Sequence, residues 1–204
     1  DGDLKIEGGA LTVSGNTVNN GALDVADGLS LTFSGRYEGT ATAKIGEGAI
    51  LNLTGPLTAD SSLDVTGMIN PSLGDSSYTL TLDGEYTVGT TSNYIFLGSS
   101  IVNKGTAELV DSIYDNGTGT TAWYNLSGSS LEISGNSVFG INNSAGIELL
   151  SNADGAAITK TGTSTSYISW DVINDGDLKI EGGALTVSGN TVNNGSLDVA
   201  DGLS

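Results

Sequence analysis

Short runs of alternating apolar and polar residues recur along the 204-residue chain, and each run is closed by a glycine. The pattern is leucine, any residue, an apolar residue, then Ser, Thr or Asp before the glycine. A period of two is typical of a β-strand, whose successive side chains face opposite sides. The pattern occurs at Leu11–Gly15, Leu51–Gly55, Leu63–Gly67, Leu80–Gly84 and Leu131–Gly135.

A second pattern joins such strands: an apolar residue, an asparagine, a polar residue and a small residue, followed by another strand. Asparagine suits a corner because it tolerates left-handed backbone and can stack in ladders. The pattern is clearest at Val18–Gly21 and Ile173–Gly176, and looser at Val102–Gly105 and Ile141–Ser144.

The spacing of these patterns predicts an all-β fold, a parallel β-helix (β-solenoid) with coils of about 19 residues. Stacked at ~4.8 Å per coil, a 174-residue unit would form about nine coils. The side chains expected to face solvent are Lys5, Glu7, Asp24, Asp64 and Glu132. Those expected in the core are Leu11, Val13, Leu23, Val25, Leu51, Leu53, Leu63, Val65, Leu131 and Ile133.

A tandem array of antiparallel β-sandwich domains is the alternative fold. Asn-Gly dipeptides are typical of tight hairpins, and they occur at Asn20 and Asn116. Against a sandwich, the strand patterns repeat in one order, whereas hairpins vary in spacing.

The chain also contains its own beginning twice. Residues 175–204 repeat residues 1–30 with one difference, Ala22 against Ser196. We therefore interpret 1–174 as one long tandem repeat unit of a β-solenoid and 175–204 as the start of the next copy. Repeats of this kind supply length or many copies of one surface, so further copies in the same chain are the expected partners.

Composition excludes several functions. A net charge of −18 with six basic residues argues against nucleic acid as a partner. The chain has no Cys and no His, which excludes disulfides, thiolate or imidazole metal sites and the Ser-His-Asp triad. No apolar run reaches the ~20 residues of a membrane span, so we expect no direct membrane insertion in this segment. No signal peptide is visible, and we expect that peptide and the anchor to lie outside this fragment.

Acidic residues are the remaining candidates for chemistry. Some β-helices cleave polysaccharides with clustered carboxylates, and the candidate pairs here are Asp1 with Asp3 and Asp24 with Asp27. Calcium is the one candidate cofactor, through Asp175 with Asp177 or Asp198 with Asp201. A solvated acidic face explains the same residues, so we predict no catalytic, cofactor-binding or metal-binding residues.

Aromatic residues concentrate between positions 78 and 124. One interpretation of this group, which includes Phe96, is aromatic stacking in a wider part of the core. The other is an exposed patch for a partner chain or a glycan. The candidate contact residues are Tyr78, Tyr86, Tyr94, Tyr114, Trp123 and Tyr124.

Residues Ala156–Gly162 resemble the start of the passenger-associated repeat of bacterial autotransporters and related large surface adhesins. Leu11–Asn16 and Leu131–Asn136 are similar to the strand and turn that follow in that repeat. Here Thr163–Trp170 stands in place of the usual next strand. The resemblance implies a β-helical, secreted segment exposed at a bacterial cell surface, without catalysis of its own.

Together these observations predict a structural or adhesive repeat unit of a very long extracellular bacterial surface or fibre protein. It would act as a stiff acidic spacer and not as an enzyme. One alternative is an adhesin module that binds sibling fibres or host or environmental glycans. The other is a β-helical polysaccharide-degrading enzyme.

Overall fold

The computed structural model describes residues 2–74, 77–89, 94–115, 119–134, 136–142 and 146–204. Asp1, Asn116, Gly117, Gly135, Asn143 and Ser144 lie outside these ranges. Within them the chain forms twenty-five strands and no helix. The strands are β1 Leu4–Ile6, β2 Ala10–Val13, β3 Thr17–Val18, β4 Leu23–Val25, β5 Ser30–Phe33, β6 Tyr37–Glu38, β7 Thr40–Ile45, β8 Ile50–Leu53, β9 Ser61–Asn70, β10 Thr79–Val88, β11 Tyr94–Leu97, β12 Ser100–Asn103, β13 Thr106–Leu109, β14 Ser112–Asp115, β15 Thr120–Asn125, β16 Ser130–Ile133, β17 Val138–Ile141, β18 Ile147–Asn152, β19 Ala157–Lys160, β20 Thr165–Ile168, β21 Asp171–Asn174, β22 Asp177–Ile180, β23 Ala184–Val187, β24 Thr191–Asn193 and β25 Ser196–Val199.

Successive coils stack through parallel strand pairs, and every pairing among the described strands is parallel. They form one 18-stranded sheet, one sheet of β11, β14, β17, β20 and β23, and a small sheet of β3 and β6. The predicted β-solenoid is confirmed, with about nine turns of about 20 residues. A β-sandwich is excluded because it requires antiparallel pairs.

Coil length changes along the solenoid. Ala22 bonds to Asp3, 19 residues earlier, whereas Asn125 bonds to Asn152, 27 residues later. The predicted length of 19 holds for the pairs β1–β4 and β22–β25 of the duplicated segment and for the pair β9–β10, whereas the other steps between Asp24 and Asp177 span 20–27 residues. Because of that, one 174-residue unit spans eight coil steps and not nine. The ladder that shows this runs through Lys5, Asp24, Lys44, Thr66, Glu85, Thr106, Ser130, Ala157 and Asp177.

The ladder that starts at Lys5 does not reach Lys179, which is the equivalent residue in the second copy. After eight steps Lys5 is aligned with Asp177, the counterpart of Asp3, so the register has moved by two residues. A two-residue displacement preserves the alternation of inward and outward side chains, whereas a one-residue slip would reverse it. The two copies keep one internal register, with Leu4 paired to Leu23 and Leu178 paired to Leu197.

The core is one continuous apolar cluster. Eight of the ten predicted core residues are buried within it; Val13 is half-buried and Leu11 is 36% exposed. Leu11 corrects the prediction, since it lies in the first coil and only one side of that coil is covered by another. The residues expected to face solvent do so, with Asp24 partly exposed.

Polar residues also point inward, among them asparagines at a corner. Asn103, Asn125, Asn152 and Asn174 are at most 1% exposed. Each amide nitrogen donates to the amide oxygen of the asparagine one coil further on, over 2.6–2.8 Å, and the ladder ends at Asn193. Each also donates to a backbone carbonyl of the next coil, as Asn152 does to Asp177 at 3.0 Å. This asparagine ladder therefore fixes one corner of the solenoid.

Lys160 is the second inward polar residue. Its side chain is fully buried between Ile133 and Ile180 in the ladder, and its ammonium donates to the carbonyl of Thr161. Burial lowers the pKa of this lysine, because the charged form loses water. No carboxylate lies within ion-pair distance of it in the described part of the chain.

We predict that Asn152→Ala destabilises the solenoid by about 2–4 kcal/mol. The change leaves Asn125, Asn174 and the Asp177 carbonyl short of a partner, and each buried unpaired group costs roughly 1–3 kcal/mol. The control is Asn194→Ala, which removes one exposed bond to Asp175 and should shift stability by under about 0.5 kcal/mol. Urea unfolding followed by circular dichroism measures both. Equal effects would contradict a stabilising role for the ladder.

We predict that Lys160→Met stabilises the protein by about 1–3 kcal/mol at neutral pH, because it removes a desolvated charge. The folded pKa lies below the unfolded one, so the unfolded chain binds more protons between the two values. Stability should therefore fall as pH is lowered through that alkaline window, and the variant should lose this slope. Lys179→Met, at an exposed lysine, is the control. If the stability of Lys160→Met depended on pH as steeply as that of the unaltered protein, the Lys160 ammonium would not be buried in the core.

Candidate functional site

Four aromatic side chains lie on the outer face of the five-stranded sheet. We call Tyr94, Phe96, Tyr114 and Tyr167 the aromatic stripe. The Tyr94 and Tyr114 ring centroids are 5.5 Å apart, and those of Phe96 and Tyr114 are 6.3 Å apart. Tyr94, Phe96 and Tyr167 are 53%, 42% and 47% exposed. The stripe thus places four partly exposed aromatic rings on one sheet.

A glycine sets the orientation of the central ring. Tyr114 is aligned with Gly140 on the next coil, and a Cβ at position 140 would lie 2.4 Å from the tyrosine ring. The ring therefore covers the backbone of the next coil, and no larger residue fits below it. The ring planes of Tyr94 and Tyr114 are tilted by 57° and those of Phe96 and Tyr114 by 37°. Partly exposed aromatic rings can pack against an apolar face of a ligand.

Two of the six predicted contact residues belong to the stripe, Tyr94 and Tyr114. Tyr78 is exposed but precedes β10, and Tyr124 is half-buried on β15 of the large sheet. Tyr167 is the residue that the sequence analysis missed. Its alternation with buried Ser166 and Ile168 was the available signal for an outward ring.

The other two predicted contact residues lie in the core. Tyr86 is 3% exposed, and its hydroxyl donates to the Asn103 amide oxygen at 2.6 Å. Burial raises the pKa of Tyr86 well above its ordinary value. Trp123 is fully buried and meets Phe139 edge-on at 6.4 Å, and Trp170 packs on the same phenylalanine. Core stacking therefore explains these two residues, and they are unavailable to a surface ligand.

An acidic groove crosses the large sheet. It is lined by Glu85, Glu108, Glu132 and Glu181 with several threonines. Glu108 and Glu132 are directly paired on adjacent coils, a repulsive arrangement, and the Thr161 hydroxyl donates to Glu132 at 2.6 Å. No basic residue lines the groove, so it is unsuited to an anionic ligand.

The acids considered for catalysis or calcium make bonds between coils. Asp27 accepts the Glu47 N–H at 3.0 Å, and Asp24 lies 3.8 Å from Lys5. Asp175 accepts from Asn194 at 2.8 Å and Asp177 from Ser196 at 2.6 Å. Asp3 accepts the Ala22 N–H at 3.4 Å, Asp198 and Asp201 are exposed, and Asp1 lies outside the described residues. The described residues contain no group of three or more potential metal ligands.

Comparison with protein-family models, curated proteins and solved structures gave no match. The resemblance to autotransporter passengers is therefore supported at the level of a β-solenoid fold and no further. Among the described residues, no helix has the length and apolar character required to cross a bilayer.

Proposed function

We propose that this chain is a structural repeat unit of a very long extracellular fibre or surface protein, acting as a stiff acidic spacer without catalysis. The observation that carries the proposal is the junction between the two copies. β22, the counterpart of β1, pairs with β19 of the preceding coil, and Leu178 stacks on Ile158. One unit therefore continues into the next through the same sheet and core.

Such a junction makes length the property that duplication increases. A solenoid is stabilised by its nearest-neighbour interfaces, so an added unit lengthens it without a new kind of core. The net charge of −18 would keep long arrays soluble and apart. A bacterial cell surface is the setting we propose, in line with the sequence resemblance and the solenoid fold.

We predict that covalent arrays of one, two and four 174-residue units form rods whose length rises by about 38 Å per unit, from eight coils at ~4.8 Å each. Electron microscopy and small-angle X-ray scattering measure the lengths. Separate globules joined by flexible segments, with no constant increase in length per unit, would contradict the spacer function. A matched array with Pro at Leu131, a buried strand position, should show a local break, because proline removes a ladder donor.

A second candidate function is glycan or partner binding, which the exposed, ordered aromatic stripe favours. Sugar rings present flat apolar faces that pack on aromatic side chains, and an uncharged sugar would not be repelled by the acidic groove. Repetition of the stripe along an array would multiply a weak contact.

We predict that Tyr94→Ala combined with Tyr114→Ala lowers retention on a neutral-glycan array several-fold, because it removes both rings of this aromatic pair. Tyr124→Ala, at a half-buried tyrosine on another sheet, is the matched control and should bind normally. If the double variant binds glycans as well as the unaltered protein does, the stripe is not the binding site. If the unaltered protein binds no glycan, the spacer function remains as the one proposed function.

A further inference from the structure

A small pocket lies beside Tyr94 of the aromatic stripe, on the side of the solenoid. Its volume is about 340 Å³, and it is lined by Tyr94, Val110, Asp111, Ser112 and Asn136. Three successive coils contribute to it, because Tyr94 begins β11, Ser112 begins β14 and Asn136 precedes β17. Pockets for small ligands span roughly 300–1,000 Å³, so this one suits a ligand of one or two rings. We call it the coil pocket.

The coil pocket combines buried polar side chains with exposed apolar ones. Asp111 and Ser112 are 7% and 9% exposed, whereas Tyr94 and Val110 are 53% and 38% exposed. Asp111 adjoins the preceding coil, where a Cβ at Gly89 would lie 3.6 Å from its Oδ2. A ligand in the pocket would therefore meet enclosed polar groups and an accessible aromatic ring.

The backbone around the pocket is held by bonds between coils. The Val110 N–H donates to the Val88 carbonyl at 3.1 Å. The Ser137 hydroxyl donates to the Leu109 carbonyl at 3.2 Å, which places the turn of Asn136 beside the residue that precedes Val110. The polar groups are thus positioned before a ligand arrives, and this lowers the entropy cost of binding.

The polar groups of the pocket require both a donor and an acceptor from a ligand. The Asp111 carboxylate only accepts hydrogen bonds. Ser112 Oγ accepts the Val138 N–H at 3.2 Å, so the proton of that hydroxyl is available to a ligand. The Asn136 amide offers a donor and an acceptor. Neighbouring hydroxyl groups satisfy all three residues, because each hydroxyl both donates and accepts.

Charge narrows the class of ligand further. None of the described residues that line the pocket is basic, and the chain carries −18, so an anionic ligand would be repelled. A cation would pair with Asp111 but would accept nothing from Ser112. An apolar ligand would leave both residues without a partner, which is costly. A neutral ring that carries hydroxyl groups satisfies both, and its C–H face can pack on Tyr94.

We propose that the coil pocket binds one neutral pyranose residue of a glycan. The Asp111 carboxylate would accept from the sugar hydroxyls, Ser112 and Asn136 would donate to them, and one face of the ring would pack on Tyr94. The inference rests on the glycan-binding function proposed above, for which it names the site and the class of sugar. Tandem copies would present one pocket per unit, which would multiply a weak contact on a glycan-rich surface.

Saturation-transfer NMR on the full chain tests the class of sugar. The neutral probes are methyl β-galactopyranoside and methyl β-glucopyranoside, the acidic probe is methyl β-glucuronide, and the cationic probe is choline. We expect saturation of the C–H protons on one face of a neutral glycoside, and several-fold weaker saturation of the other two probes. Equal or stronger saturation of the glucuronide or of choline would overturn the assignment to a neutral sugar.

Two substitutions test the pocket while leaving the rings of the stripe in place. Asn136→Ala, at an exposed residue, should lower the affinity for the neutral glycoside about five-fold, through the loss of one hydrogen bond. Asp111→Asn should lower it at least as much, because bonds to a charged acceptor are stronger. Asn142→Ala and Asp154→Asn, at exposed residues outside the pocket, are the matched controls and should bind as the unaltered chain does. Circular dichroism verifies folding, and Asn136→Ala decides the matter if Asp111→Asn does not fold.

The outcomes separate this inference from the proposed functions. If Asn136→Ala and Asp111→Asn bind the neutral glycosides as tightly as the unaltered chain does, the coil pocket is not the site. If the unaltered chain binds neither neutral glycoside, the inference is wrong, and the glycan array decides separately whether the stripe binds larger glycans. A constant length step in covalent arrays would support the spacer function in either case.

Discussion

A coil of this solenoid is stable only where another coil lies against it. No coil has a core of its own, because its two or three short strands have one layer of inward side chains and no partner strand within the coil. The duplicated segment measures this dependence directly: Leu23 is buried under β7, and the equivalent Leu197 is more than half exposed. Parallel backbone bonding between coils is thus the condition for burial, and the apolar ladders form as its consequence.

Apolar stacking alone does not determine how the coils are aligned. Leucine, isoleucine and valine exchange places freely in the ladders, and the large sheet moves by two residues over one unit without exposing a core side chain. The asparagine ladder does determine this alignment. Each rung has two donors and one acceptor with fixed partners on the neighbouring coil, so a displacement at that corner would leave buried amides unpaired.

Much of the fold could be predicted from local alternation, since period two is visible in segments such as Leu63–Gly67. Alternation also separates the outward Tyr94 from the inward Ile95. It fails at Trp123, because Thr121, Ala122 and Trp123 are consecutive and all buried. The average coil length was close to the prediction, but the longest coils, such as the 27 residues from Asn125 to Asn152, could not be predicted from the short strand patterns alone. The longer coils house Trp123, Phe139 and Trp170, whose volume requires a wider cross-section.

The inward polar residues could not be recognised from the sequence for a different reason. Asn152 and Asn194 are the same residue type beside the same kinds of neighbours, yet one is a rung of the ladder and the other faces water. What separates them is the position of an asparagine one coil away, and the varying coil length hides that relation. Lys160 likewise follows an ordinary alternating strand, Ala157–Lys160, and its burial depends on Ile133 and Ile180 in the neighbouring coils.

The sides of the solenoid and the contacts between its coils therefore have opposite properties. The sides carry the acidic side chains, many of them bonded to the coil that follows, as Asp60 is to Thr79 and Asp171 to Asn190. Two sides of net negative charge repel each other at any rotation about the axis. Coils join through parallel backbone bonds and stacked apolar side chains, as β22 does on β19. Stacking along the axis is favoured and lateral contact is opposed, and both effects follow from one distribution: charge on the outward positions, and backbone bonds and apolar side chains between the coils.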